Sequence, residues 1–271
     1  MGSGVAEVAA AAGYDVVLRS RHQDTADAML AGLAKSLARQ VEKEKRTQAE
    51  ADAVLGRVTA TTHLGELVDV DLVIESVVED LGVKKALFAE LDSICKPGTI
   101  LATNTSTLPV VELAMASGRP DLVCGIHFFN PAPAMSLVEV VRPITAADTT
   151  MAAAVAFAES CGKEPVEVKD QAGFIVNALL FPYLNNAVRL LEQGVATKEG
   201  IDAAMKGGCG FPLGPFALLD LVGLDTSVAI LDALYDEFRD PNYAAVPLLR
   251  RLVTSGQLGR KAGRGFYDYA R

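Results

Sequence analysis

His127 stands at the end of a predicted strand, 123–128, and a proline-bearing loop, Phe129-Asn130-Pro131, follows it. Twelve residues on, Glu139 sits inside the apolar run Leu137-Val138-Glu139-Val140-Val141. A carboxylate in an apolar strand is costly to desolvate unless a partner meets it, and His127 is the obvious candidate. A carboxylate on one imidazole nitrogen fixes the tautomer and strengthens the other nitrogen as a general base near neutral pH. Spacing alone equally allows a core histidine with a strand-end glutamate facing solvent. A second group, Asn104-Thr105-Ser106-Thr107-Leu108, follows a predicted strand at 99–102. It brings hydroxyls and an amide to the carboxyl end of a sheet, where open α/β folds bind ligands. Ser and Thr at that place also suit the N-cap of the helix that follows.

The elements that must position these residues alternate. Helices are predicted at 1–13, 24–46, 48–56, 81–94, 107–116 and 147–162, with strands at 15–18, 71–74, 99–102, 123–128, 137–141 and 165–168. That alternation argues a mostly parallel, doubly wound sheet covered on both faces. From about residue 171 strand signals vanish and helical periodicity takes over. The expected organisation is an α/β domain over 1–169 and an all-α domain over 170–271. The 271 residues are ample for both.

Composition excludes several classes. Net charge is −9, so broad nucleic-acid binding is not expected, and an anionic ligand would need cations gathered at its site. No apolar run reaches the ~20 residues of a membrane span, and the N-terminus lacks the basic region of a secretory signal. Cys95, Cys124, Cys161 and Cys209 show no CxxC spacing and read as small buried hydrophobes of a reducing compartment, which points to the cytoplasm. No metal site is expected.

A dinucleotide-binding unit opens with a strand, a GxGxxG loop and a helix. Here Met1-Gly2-Ser3-Gly4 leads straight into the helix, so the first strand and part of the glycine loop are expected to be missing. A start assigned too late, a truncated paralogue or an engineered fragment would each give this beginning.

Taken together, His127-Phe128-Phe129-Asn130-Pro131, the run around Glu139, Asn104-Thr105-Ser106, Asp170 to Leu180, Gly208 to Asp225 and the terminal Gly259 to Tyr267 resemble the 3-hydroxyacyl-CoA dehydrogenase family over essentially the whole chain. The resemblance implies a Rossmann-like domain followed by a helical substrate and dimerisation domain. It implies that His127 takes the proton of a C3 hydroxyl, that Glu139 orients His127, and that Ser106 and Asn177 hold the reacting oxygen and thioester region. It places Gly2, Ser20, Arg21, Glu79, Lys84, Ser106, Asn130 and Lys261 at the cofactor, NAD or NADP. It places Ser36, Lys43, Lys84 and Ser106 at an acyl-CoA, with short chains such as 3-hydroxybutyryl-CoA the default. Gly263 and Gly265 would serve tight turns in the terminal loop. A homodimer through the helical domain is expected, because Phe174, Ile175, Leu179, Leu180, Leu184, Val188 and Leu191 form an apolar stripe.

One departure bears on the cofactor. The second strand of such domains usually ends in an acidic residue that holds the adenosine ribose 2′-hydroxyl. Here Ser20 occupies that place, between Arg19 and Arg21. Arg21 can pair with a 2′-phosphate and Ser20 removes the repulsion, so NADP(H) preference is expected. The competing readings are a non-catalytic acyl-CoA-binding or structural paralogue on this scaffold, and a dehydrogenase of a free β-hydroxyacid.

Overall fold

The computed structural model describes residues 1–269, which fall into two compact units, Met1–Asp170 and the residues from Gln171 on. The first unit runs α1 (Gly2–Ala11), β1 (Val16–Arg19), α2 (Gln23–Glu42), α3 (Gln48–Gly56), β2 (Val58–Thr61), β3 (Leu72–Glu75), α4 (Leu81–Ile94), β4 (Ile100–Thr103), α5 (Val110–Ala116), β5 (Val123–Phe128), β6 (Leu137–Arg142), α6 (Asp148–Ser160) and β7 (Glu164–Lys169). Its strands form two hydrogen-bonded sheets rather than one. β1 pairs with β2 in parallel, and β3-β4-β5-β6-β7 form the larger sheet.

Small residues on α1 let it serve both sheets. Val5, Val8 and Ala9 pack with Ala102, Ile74 and Leu72, while Ala6 and Ala10 pack with Leu18, Leu33 and Leu37. β1 and β3 are not paired with each other, and Val16, Val17, Leu72, Val73 and Ile74 are half-buried. β2 lacks a sequence signal: Val-Thr-Ala-Thr is short and polar, and only its parallel ladder to β1 makes it a strand.

The larger sheet is parallel except at β5–β6, which pair antiparallel with Gly125 opposite Val141 and His127 opposite Glu139. All six residues of β5 are buried. Gly125 allows the two strands to meet, because a Cβ there would lie 2.7 Å from Val141 Cβ.

The second unit is helical among the described residues: α7 (Val176–Glu192), α8 (Lys198–Cys209), α9 (Pro215–Val222), α10 (Leu224–Phe238) and α11 (Pro247–Thr254). Although the apolar stripe begins at Phe174, α7 begins only at Val176, because Gly173 and Phe174 take left-handed backbone (φ 72° and 48°). The apolar stripe divides. Phe174, Leu184 and Val188 are buried, whereas Ile175 and Leu179 are exposed. Two buried carboxylates hold the loops. Asp202 accepts from Phe216 N, Ala217 N and Tyr267 Oη, and Asp220 accepts from Phe266 N, Tyr267 N and Tyr269 Oη. Gly265 lacks a Cβ for packing rather than for a turn, since that atom would sit 2.0 Å from Asp220 Oδ1. Gly263 does take a left-handed turn, φ 72°.

The cysteines depart from expectation. Cys95 and Cys124 are buried, with burial pushing the Cys124 thiol up to about 12, but Cys161 is half-buried and Cys209 exposed. No helix is long and apolar enough to cross a membrane, and no cluster of metal-binding side chains occurs among the described residues.

Candidate active site

Because β5 and β6 run antiparallel in this register, His127 and Glu139 are direct cross-strand neighbours. His127 Nδ1 lies 2.7 Å from Glu139 Oε2, and the two residues are 4% and 1% exposed. An ionised carboxylate only accepts, so Nδ1 carries the proton and Nε2 the lone pair. Nε2 is 3.1 Å from Ser106 Oγ, whose hydroxyl donates to it. The result is a buried Glu–His–Ser relay at the sheet's carboxyl end. Asn104 helps to hold this geometry, its Oδ1 accepting from Phe128 N at 2.7 Å.

Behind Ser106 lies an ionic network. Asp80 caps α4 by accepting from Val83 N, which sets Lys84 on the first turn above the end of β3. Lys84 Nζ lies 2.8 and 2.9 Å from the two oxygens of Glu75 and 3.2 Å from Glu79 Oε2. Glu75 Oε2 also accepts from Thr103 Oγ1 at 2.8 Å. Glu79 Oε1 accepts from Ser106 N at 3.0 Å and from the Thr105 hydroxyl.

The other first-unit residues expected at the cofactor lie at the start of α1 and on the loops after β1 and β5. Gly2 opens that helix, whose first intrahelical bond is Gly4 N to Met1 O, so the Gly2 and Ser3 amides precede the ladder. A Cβ on Gly2 would come 3.2 Å from Met29 Cε and 3.9 Å from Ser76 Cβ, and the buried Ser76 hydroxyl has no partner. A bare helix start beside an unpartnered hydroxyl suits a dinucleotide's phosphates. Ser20 follows β1, half-buried, with its amide on Thr61 O, and Arg21 is exposed. Arg19 is directed elsewhere, to Thr62 O at 3.4 Å. Asn130 is exposed on the loop after His127. Ser36 lies on α2 beside Gln40, which donates to the buried Glu7 at 2.6 Å, and Lys43 caps the helix, exposed.

Comparison with known proteins bears on this site. Residues 1–171 match the NAD-binding domain of 3-hydroxyacyl-CoA dehydrogenases, and residues 173–269 match the C-terminal domain. The chain belongs to the 3-hydroxyacyl-CoA dehydrogenase family. It is 48% identical to a 3-hydroxybutyryl-CoA dehydrogenase of Clostridioides difficile over 99% of this chain and 96% of that protein. It is 42% identical to the human mitochondrial hydroxyacyl-coenzyme A dehydrogenase, over 99% of this chain and 88% of that one. Among solved structures, Mycobacterium tuberculosis FadB2 superposes with a TM-score of 0.98 at 47% identity, covering 100% of this chain and 95% of that one. The (S)-3-hydroxybutyryl-CoA dehydrogenase PaaH1 of Ralstonia eutropha gives 0.97 at 41%, covering 100% and 96%.

As a member of this dehydrogenase family the chain brings Ser106, His127, Glu139, Glu79 and Lys84 together in its first unit. Lys84, expected at the cofactor and the acyl-CoA, is 1% exposed, with its ammonium against the carboxylates of Glu75 and Glu79. Asn177 and Lys261 belong to the second unit. Asn177 is the second residue of α7, 8% exposed, and Lys261 is exposed and ion-paired with Asp225 at 2.7 Å. Glu75 and Thr103 were not anticipated. Glu75 carried the same signal as Glu139, a carboxylate at an apolar strand, and that signal was applied only to Glu139.

Proposed function

We propose that the chain is an NAD(P)-dependent dehydrogenase interconverting a (3S)-3-hydroxyacyl-CoA, of short chain such as 3-hydroxybutyryl-CoA, and the 3-oxoacyl-CoA. The His127–Glu139 cross-strand pair carries the reading. In the oxidative direction His127 Nε2 takes the proton of the C3 hydroxyl, and Glu139 stabilises the imidazolium that forms. Ser106 Oγ donates to the same oxygen as its charge develops, with Asn177 as a second donor. When bound, the nicotinamide supplies the two-electron acceptor for C3. Gly2, Asn130, Glu79 and Lys261 are assigned to the cofactor side, and Ser36 and Lys43 to the CoA moiety, where a cation meets phosphate. Relatives named 3-hydroxybutyryl-CoA dehydrogenase support the short acyl chain.

NADP(H) is the cofactor we favour, because Ser20 offers no carboxylate to a 2′-phosphate and the exposed Arg21 offers a cation. The protein acts as a homodimer through its helical unit, in the cytoplasm. The exposed Leu179 (71%) and Ile175 (43%) support the dimer, and a monomer by light scattering would contradict it. The test of activity is the nicotinamide absorbance change with acetoacetyl-CoA and either NADH or NADPH. Turnover supports the dehydrogenase, and faster turnover with NADPH supports the Ser20–Arg21 reading. A strong NADH preference overturns the latter. A folded protein inactive with both would point to the non-catalytic acyl-CoA-binding alternative.

A further inference from the structure

We propose that Ser76 is a cofactor-binding residue, whose hydroxyl donates a hydrogen bond to a phosphate of the dinucleotide at the start of α1. The inference deepens the dehydrogenase reading and rests on it for the identity of the ligand.

A buried hydroxyl without a partner has lost its hydrogen bonds to water and gained none in return. Four side-chain oxygens are in that position among the described residues, on Ser76, Thr145, Tyr183 and Asp225. Asp225 is met by the Lys261 ammonium at 2.7 Å. Tyr183 lies in the middle of α7, and Thr145 precedes a helix whose first turn already carries Asp148. Ser76 differs from all three. It follows β3 directly, at the carboxyl end of the strand, and its Cβ lies 3.9 Å from the place a Cβ on Gly2 would occupy. A hydroxyl is one bond from its Cβ, so every rotamer of Ser76 keeps it beside the start of α1.

That start is open to an anion. The Gly2 and Ser3 amides precede the first intrahelical bond, Gly4 N to Met1 O, and no acidic residue occupies the first turn. Two free amides and the helix dipole attract a phosphate. Ser76 adds a third donor from a different element. The carboxylates of the two elements are turned elsewhere: Glu75 of β3 holds Lys84 and Thr103, and Glu7 of α1 accepts from Gln40. Ser76 is half-buried while its hydroxyl is enclosed, so donation to a ligand takes a turn about χ1 from one staggered position to another. The unbound protein holds an unsatisfied group that the cofactor satisfies.

Such a group gives two effects of opposite sign. Ser76→Ala removes an oxygen that the free protein leaves unpaired, so the free protein should keep or gain stability. The same change removes a charge-assisted bond to phosphate, so binding should weaken. A serine bonded within the protein would not give this combination.

The experiment measures dissociation constants of NADH, NADPH, ADP-ribose and ADP for the parent and Ser76→Ala by isothermal titration calorimetry, with thermal melting of both free proteins. Ser76→Ala should melt at or above the parent. It should bind all four ligands about 10-fold more weakly, the loss of one hydrogen bond to a charged group. All four share the diphosphate, and ADP lacks the second ribose. A loss confined to NADH, NADPH and ADP-ribose would therefore put the hydroxyl on that ribose and overturn the phosphate assignment. In turnover of acetoacetyl-CoA the KM for the cofactor should rise while kcat stays near parental, as for a contact made equally in the ground and transition states. A free Ser76→Ala protein that melts clearly below the parent overturns the proposal, because the hydroxyl then has a partner without the cofactor. If the parent binds none of the four ligands, the dehydrogenase reading fails and this inference with it. If the parent binds them and Ser76→Ala binds them equally well, the Ser76 assignment alone is overturned.

Discussion

Buried carboxylates do different work in the two units. In the first, Glu139 and Glu75 each hold an ionisable side chain, His127 and Lys84. In the second, Asp202 and Asp220 each hold two main-chain amides and a tyrosine hydroxyl. All four are 8% exposed or less, and all face the same desolvation cost. A carboxylate closed over amides can only fix the chain. One that grips a single nitrogen of an imidazole leaves the other nitrogen for chemistry. Burial and satisfaction alone therefore do not separate the two kinds of carboxylate, and the partner does.

The largest expected break in this comparison is at His127. His127→Gln should lower kcat about 1,000-fold, the loss of a general base, with the far-ultraviolet circular dichroism unchanged. In the second unit the corresponding break is steric. Gly265→Ala would push a methyl against Asp220 and should cost about 3 kcal/mol or more in urea unfolding. A loss under about 0.5 kcal/mol would mean that Asp220 is not closed over the terminal loop as described. The smallest effect sharpens the contrast between burial and reactivity. Under native conditions iodoacetamide should label the exposed Cys209 and spare Cys124, whose thiol burial holds at about 12, as read by intact mass and peptide mapping.

Much of the His127–Glu139 pair was legible in the sequence. His127 ends an apolar strand, and Glu139 is a charge in a run that would otherwise be uniformly apolar. What the sequence withheld was pairing. Nothing in either run states that β6 returns antiparallel to β5 in a register that places the two residues opposite each other, because register is set by the packing of whole strands. The same limit hid β2, whose Val-Thr-Ala-Thr becomes a strand only beside β1. The burial of Lys84 was hidden for a different reason. A lysine one turn into a helix reads as solvated, and only the Asp80 cap, which starts α4 over the end of β3, turns it inward onto Glu75. The stripe on α7 likewise mixed two roles, since Leu184 and Val188 went into the unit's own core while Leu179 stayed outside.

The most direct measurement sets Glu139→Gln beside Asp220→Asn and determines kcat and unfolding free energy for each. Both changes replace one buried carboxylate oxygen with an amide nitrogen of nearly the same size. Glu139→Gln should lower kcat by about 100-fold or more with little loss of stability, because the ring loses the charge that stabilises its protonated form. Asp220→Asn should cost about 2 kcal/mol of stability, because a donor now faces donors, with kcat nearly unchanged below its melting transition. If Glu139→Gln kept the parental kcat, or if its loss were accounted for by unfolding as in Asp220→Asn, then Glu139 would be one more structural carboxylate and the catalytic assignment of the β5–β6 pair would be wrong.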